Sequence, residues 1–534
     1  MQVICRAAAT LHQVFPGDRR TADFLLDIVW RKRYDTYKKY VFRTVLQEES
    51  AVSRYFMGVD ADIGACRGVL LDEKGRCAAA CSVPHVAVSV PPDLAELDAD
   101  RAWWGGLCAV SRMLLQQAGA APEEVAAVGC SATDPSLVAL NPQGRPLRRA
   151  LLSRFAAQTA AERTGRGLQQ DTLPDPDGRI PDGLLYLLSS SETELFAQAA
   201  QFVTAGAFLT LRLTGEAVID RHTGGRCAPL YDLQTGTWSE TELSGLCRPA
   251  QLPRCAWSSE PAGRITAQAA AETGLREGTP VAAGVCSAGA VAAAAGLRPG
   301  RLLLKLDASV RMLRLTHRTP EPRPEQALPA LTQEHWLYDT HVCDAGALTT
   351  QLDTDNLADL AEAGRELPPG CNGLIVLPYL RGAGAPFFDR QASGLVFGLK
   401  LHHTHVHLYR AAMEGICYAV AQYLLQLKGD CAVHHITVAG NGAGNTALCQ
   451  LLSDICVARV DVCRDAGPAF GAARLAAAAA GFGEQVAQWG GGGDVFWPDL
   501  ERHARYRPYL DAFRELYNMT HKIVHRDLSN YMYL

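Results

Sequence analysis

Two short stretches of this chain set chemically capable residues close together. In LHHTHVHL, His402, His403, His405 and His407 supply enough imidazole for a zinc ion if their rings converge. His405 and His407 are two apart, a spacing that does not force them together. In VAGNGAGNTALCQLLSDI, Gly440, Gly442 and Ala443 are small enough to let a ligand or another backbone come close, and Asn441 and Asn445 carry amides able to hydrogen-bond it. A turn of this kind equally serves as a helix cap. A third string, VHRDLSN near the C-terminus, mimics a kinase catalytic loop. With no Gly-rich loop before it and no Asp-Phe-Gly after it, it is discounted.

Elements must hold these residues in place, and the chain is long enough for more than one core. It has 534 residues, 48% of them hydrophobic and 20% charged, the balance of a globular chain with two large lobes. A net charge of -5 carries no polyanion-binding signature, so no nucleic acid is expected. Seventeen cysteines without a Cys-x-x-Cys pair read as reduced thiols. No strongly apolar run is long enough for a membrane span, and the N-terminus lacks an export signal, so a cytoplasmic protein with no membrane contact is expected. Apolar runs around Gly turns in MGVDADIGACRGVLLDEKGRCAAACSV predict a three-stranded meander. VAAVGCSA and SLVALNPQGRPL read as strands, and 103–118 and 192–215 as helices. RLLLKLDASVRMLRL predicts a second hairpin, LYRAAMEGICYAVAQYLLQL a long helix, and HHITVAGNGAGNTALCQLLSDIC a strand, turn and helix. Two halves that each open with a hairpin suggest an α/β duplication.

Six segments in one order and spacing carry a resemblance. They are GVDADIGACRGVLLDEKG, FLTLRLTGEAVIDRHTGGRCAPLYDLQTGTW, PVAAGVCSAGAVAAAAGLRPG, LPYLRGAGAPFFDRQASGLVFGLKLHHTHVHLYRAAMEGICYAV, AGNGAGNTALCQLLSDI and DAGPAFGAARLAAAAAG. From Met57 to Tyr509 the chain resembles the FGGY family of carbohydrate kinases. The resemblance implies two actin-like, Hsp70-like ATPase domains of ribonuclease H type around a central cleft, with a sugar or polyol deep inside and ATP with Mg across the mouth. The expected divisions are an extension over 1–56, a sugar-side domain over 57–297, a nucleotide-side domain over 298–510 and a tail over 511–534. The basic, Tyr-rich extension reads as a partner-gripping arm or as upstream sequence from a misplaced start.

Several family positions hold unexpected residues. In the first phosphate hairpin two registers compete. The preferred one puts Asp60 at the family's catalytic, Mg-binding aspartate and Arg67 at the basic place, with Asp62 where glycine belongs; the other uses Asp62, Ile63 and Gly64. The family's general base falls on Cys286, and VAAGVCSAGAVAAAAG contains no carboxylate. A thiol there is a poor proton acceptor, and loss of a placed base costs about 10²- to 10⁴-fold in rate. In the second hairpin Asp307 replaces a glycine beside Ser309, adding negative charge near the expected phosphates. The sugar segment aligns with Ser153, Arg154, Phe155, Ala156 and Ala157, and the charged loop with Gly382 to Pro386, both stripped of their polar groups. The small turn at Gly440, Asn441, Gly442, Ala443 and Asn445 is the best kept, on the nucleoside side. Three functions follow: a sugar kinase of pentuloses or gluconate-like acids with impaired transfer, an inactive sensor reporting to an active paralogue or second copy, and a structural partner.

Overall fold

The computed structural model describes residues 54–525 apart from 91–93, 154–184, 186–187, 308, 318–326, 333–334, 345–356, 381, 390, 428–432, 464–466 and 490–492. Residues Arg54–Leu534 form one compact unit. The first strand among the described residues is β1 (Tyr55–Ala61), which contains Met57. It turns back through β2 (Ala65–Asp72) and β3 (Cys77–Pro84), the predicted meander, whose inner faces alternate into the core. β4 (Val125–Ala132), β5 (Pro261–Arg264), β6 (Pro280–Ala282) and the short β7 (Val285–Cys286) complete a sheet in the order β5-β6-β4-β1-β2-β3, with β7 also on β4. β4 runs parallel to β1, β6 and β7, so these strands share one C-terminal edge.

The second sheet repeats the first. β8 (Leu302–Leu306), β9 (Val310–Thr316), β10 (Ala327–Pro329), β11 (Trp336–Cys343), β12 (His435–Ala439), β13 (Arg459–Val462) and β14 (Val495–Phe496) lie in the order β10-β11-β9-β8-β12-β13-β14. In both halves an antiparallel meander is extended by parallel strands on the side of its first member. That is the duplication of ribonuclease-H-type units expected from the two opening hairpins. The predicted helix over 192–215 is the exception: a strand at Gln201–Val203 interrupts it. Phe202 and Val203 are buried in pairing with 138–140, so tertiary pairing overrides the local helical spacing.

Helices pack on these sheets: α1 (Gly105–Ala118), α2 (Ala205–Thr214), α3 (Arg221–Gly225), α4 (Ser287–Ala294), α5 (His405–Gln426), α6 (Thr446–Cys456), α7 (Pro468–Ala477) and α8 (Leu500–Val524). Each sheet has its own apolar core, and a third cluster joins Phe56, Leu71 and Ala127 of the first sheet to Leu303, Leu313 and Ala439 of the second through Phe470 and Ala473. α7 therefore welds the halves together. The contact is backbone to backbone: a Cβ at Gly58 would stand 1.9 Å from the Ala469 carbonyl, and one at Gly471 1.7 Å from that of Ala290. Among the described residues no helix is long and apolar enough to cross a membrane.

Candidate active site

The C-terminal edge of the first sheet gathers the site. Asp60, the last buried polar residue of β1, is 2% exposed and accepts a 2.6 Å hydrogen bond from Ser131 Oγ on the neighbouring strand. Arg67 stands opposite in the β1–β2 register, its Nη1 3.8 Å from Asp60 and 3.0 Å from Asp62. Burial pushes the Asp60 carboxyl up to about 6, against the pull of Ser131, Arg67 and Lys305 and with the help of Asp62. The register sets Asp60 across from Arg67. Asp62 closes the turn, its carboxylate accepting from the Ile63 N–H at 2.8 Å. Neither Asp62 nor Asp307 takes up a positive φ, so aspartate fits where glycine was expected.

In the second hairpin Asp307 pairs with Lys305 at 3.3 Å, and its backbone N–H donates to the Ser309 carbonyl. The small turn after β12 lies directly on this hairpin. Gly440 has φ +91, and a Cβ there would meet the Leu306 carbonyl at 2.7 Å and Asp307 Oδ1 at 2.8 Å. Gly442 is pressed on Leu306 and Ala443 is buried, while Gly444 faces open space. Asn445 caps α6, accepting from Leu448 N–H at 3.0 Å and donating to the Tyr409 hydroxyl at 3.1 Å. Both ends of its amide are thus used within the fold.

Cys286 ends β7 as the N-cap of α4, 3% exposed, its N–H donating to Thr223 Oγ1 at 2.9 Å. Around it stands a buried polar cluster that sequence reasoning passed over. Asp220 caps α3, accepting from the His222 and Thr223 amides and from Ser258 Oγ. His222 donates through Nδ1–H to the Pro329 carbonyl, 3.0 Å away. Arg226 bridges the halves, with Nε 2.6 Å from Asp134 and Nη1 3.0 Å from Asp339, which Arg311 also grips at 2.8 Å. Burial alone would lower the His222 imidazolium, but Cys286, Asp220 and Asp339 outweigh it and push the ring up to about 9. Burial works against ionised Asp339 too, yet Arg311 and Arg226 hold it down at about 2. Asp134 goes the other way: burial exceeds the pull of Arg226 and raises it. The Asp134 Oδ1 and His222 Nε2 atoms are buried and have no hydrogen-bond partner among the described residues. The string VIDRHTGGR carried the signal, an N-cap aspartate followed by His on one short helix and Arg at its C-cap.

Other expectations fall elsewhere. Of the expected sugar segment, Ser153 ends a strand and 154–157 lie outside the described residues, as does all of the HRDLSN string beyond His525. Two of the 402–407 histidines bond the backbone at the entry to α5: His403 Nδ1 accepts from the Lys400 N–H at 2.9 Å and His407 Nδ1 from the Thr404 N–H at 3.2 Å. They do not converge as metal ligands.

Residues 55–295 match the profile of the N-terminal domain of the FGGY family of carbohydrate kinases, and residues 324–480 that of its C-terminal domain. An L-xylulose/3-keto-L-gulonate kinase of Escherichia coli strain K12 is 27% identical over 87% of this chain and 97% of its own length. A xylulose kinase of Streptomyces rubiginosus is 30% identical over 79% of this chain and 87% of its own. Among solved structures, a gluconate kinase from Lactobacillus acidophilus superposes with a TM-score of 0.77 over 88% of this chain and 98% of its own, at 22% identity.

Proposed function

The chain belongs to the FGGY family of carbohydrate kinases, and from that premise we propose that it phosphorylates a pentulose or gluconate-like substrate from ATP, with transfer slowed at the base. One observation carries the proposal: the residue that caps α4 at the shared strand edge is Cys286, in a 280–295 segment without a carboxylate. Phosphoryl transfer passes through a loose transition state, so positioning and charge neutralisation supply most of the rate and a base supplies the rest. The hairpin residues Asp60, Arg67 and Asp307 and the Gly440 turn would supply the positioning. Asp60 and Asp307 are oxygen donors of the kind Mg²⁺ takes, and the metal would neutralise charge on the phosphates when bound. Removal of the sugar proton then rests on weaker acceptors. Asp134 Oδ1 has an unused lone pair in the same cluster, whereas His222, held as imidazolium, is a donor suited to an anionic group of the substrate.

A second reading, a cleft that binds ligands and signals closure without transfer, draws on Asp307, whose charge beside the expected phosphates opposes an unmetallated nucleotide. In it the protein is cytoplasmic and answers to a second copy or an active paralogue. The test is thermal unfolding with Mg·ATP, Mg·ADP and a panel of pentuloses, hexonates and polyols, followed by ADP release with each stabilising pair. A ligand at a hundred times its Kd stabilises by about 2.7 kcal/mol. Slow ADP release that requires one sugar supports the kinase. Stabilisation with no release at any enzyme concentration removes it in favour of the sensor.

A further inference from the structure

Helix α8 ends in a stripe that sequence reading did not assemble. Tyr517, His521 and His525 follow one another at intervals of four, so they share a face over the last turns. That face meets Asp389, which lies 132 residues before His521 in the loop after Pro386. His525 Nε2 is 2.8 Å from Asp389 Oδ1, the His521 and His525 rings are 4.1 Å apart, and the Tyr517 hydroxyl donates to Asp389 Oδ2 at 2.9 Å. One ligand atom from each of Asp389, His521 and His525 falls within 4.8 Å of the others, the one such grouping of three among the described residues.

We propose that Asp389, His521 and His525 form a site for a divalent transition-metal ion of the zinc class. Two imidazoles and a carboxylate are the donor set such an ion prefers, and they leave a fourth tetrahedral position to water. Zinc bonds of about 2.0 to 2.2 Å place tetrahedral ligand atoms roughly 3.3 Å apart, so the 2.8 Å His525–Asp389 contact opens only slightly when a metal replaces the shared proton. His521 makes no side-chain hydrogen bond among the described residues, so its ring is at liberty to turn a nitrogen to the ion. The carboxylate is already oriented from behind. Tyr517 fixes one oxygen, the Gln391 and Ala392 amides hold the other at 3.0 and 3.2 Å, and Asp389 exchanges both backbone hydrogen bonds with Ala383. Phe387 stacks on Tyr517 with centroids 3.7 Å apart. The ion would pin the end of α8 to the Gly382–Pro386 loop, which in turn hydrogen-bonds the backbone of β11 at His341 and Val342. The site is therefore a staple between the C-terminal helix and a loop on the strand that carries Asp339.

The full-length chain, free of any affinity tag and stripped with chelator, is titrated with Zn²⁺ by calorimetry and with Co²⁺ by absorption. The expected result is one equivalent bound, a raised Tm, and a Co²⁺ spectrum without the thiolate charge-transfer band that cysteine ligation gives. His521→Ala, which removes no hydrogen bond, abolishes that equivalent while keeping the metal-free Tm. Tyr517→Phe weakens it by about tenfold, as loss of an orienting partner does. A His402→Ala/His403→Ala pair leaves it intact, and Mg²⁺ does not compete for it. Absence of binding, binding that persists in His521→Ala, or a spectrum dominated by thiolate overturns the proposal.

Discussion

Among the described residues Arg226 and Arg410 are each buried against carboxylates, as the third buried arginine, Arg474, is not, and the surroundings of these two differ in one respect. Arg410 on α5 reaches Glu414 at 2.9 Å, the Gly364 carbonyl at 3.2 Å and the Tyr506 hydroxyl at 2.6 Å. The second Glu414 oxygen accepts from the Gly370 N–H and the Tyr418 hydroxyl. The cluster is closed and lies wholly within the second half. Arg226 is as deeply buried, yet its cluster spans both halves and leaves Asp134 Oδ1 and His222 Nε2 without partners among the described residues. Buried polar atoms are nearly always paired, so the open cluster is where a ligand's polar groups fit and the closed one is where none is needed.

Restoring the acid tests the open cluster most sharply. Cys286→Asp is expected to raise the rate of sugar-dependent ADP release by about 10²- to 10⁴-fold. An unchanged rate would move the defect to the hairpins. Next comes a stability contrast measured by denaturant unfolding. Glu414→Ala strands Arg410 and costs about 3 to 5 kcal/mol, while Asp134→Asn, which keeps the oxygen that Arg226 uses, costs only about 1 to 3 kcal/mol. Equal losses would erase the difference between the clusters. The third prediction concerns pH. His222 is raised in the fold from 6.5 to about 9, so its contribution is complete below pH 6.5 and disappears as pH climbs through 9. The stability gap between the wild type and His222→Gln should shrink over that window by up to about 3 kcal/mol. The smallest effect is at Asp60, whose folded value lies above the ordinary 3.8, at about 6. Ionising it in the fold costs stability as pH rises from 3.8 to 6, and the cost stays level above. Asp60→Asn removes that slope and gains about 1 to 2 kcal/mol at pH 7 without ligand, after the weaker bond from Ser131 is allowed for, and it loses the response to Mg·ATP.

Much of the architecture was open to reading because it is written in local periods. The alternation in YFMGVDA and RLLLKLD, the turn glycines, and the long apolar face of α5 each need only their neighbours in sequence. Asp60, Arg67, Asp307 and the Gly440 turn were singled out by motif order; Arg67 lies near Asp60, and the Gly440 turn lies against Asp307. The helix expected over 192–215 failed because pairing with 138–140 outweighed its spacing. Asn445 was read as able to bond a ligand in a turn that equally serves as a helix cap; it caps α6 and also donates to Tyr409, 36 residues away. His222, Arg226, Asp134 and Asp339 were not singled out, since nothing local says that α3 and two residues about 90 and 110 positions from Arg226 share one buried space.

The histidines divide the two kinds of knowledge most cleanly. His402, His403 and His407 are neighbours in the chain, and chain order drew attention to them; the backbone entering α5 then takes one nitrogen each of His403 and His407. His521 and His525 share a helical face by spacing alone, but only the packing of α8 on the 382–389 loop brings a carboxylate to them. Sequence alone determined the family, the two duplicated sheets and the absence of a carboxylate around Cys286, because these follow from residue identity and short-range periodicity. Tertiary structure decided which polar groups meet, because burial and long-range contact set both the partners and the charge of each titrating side chain.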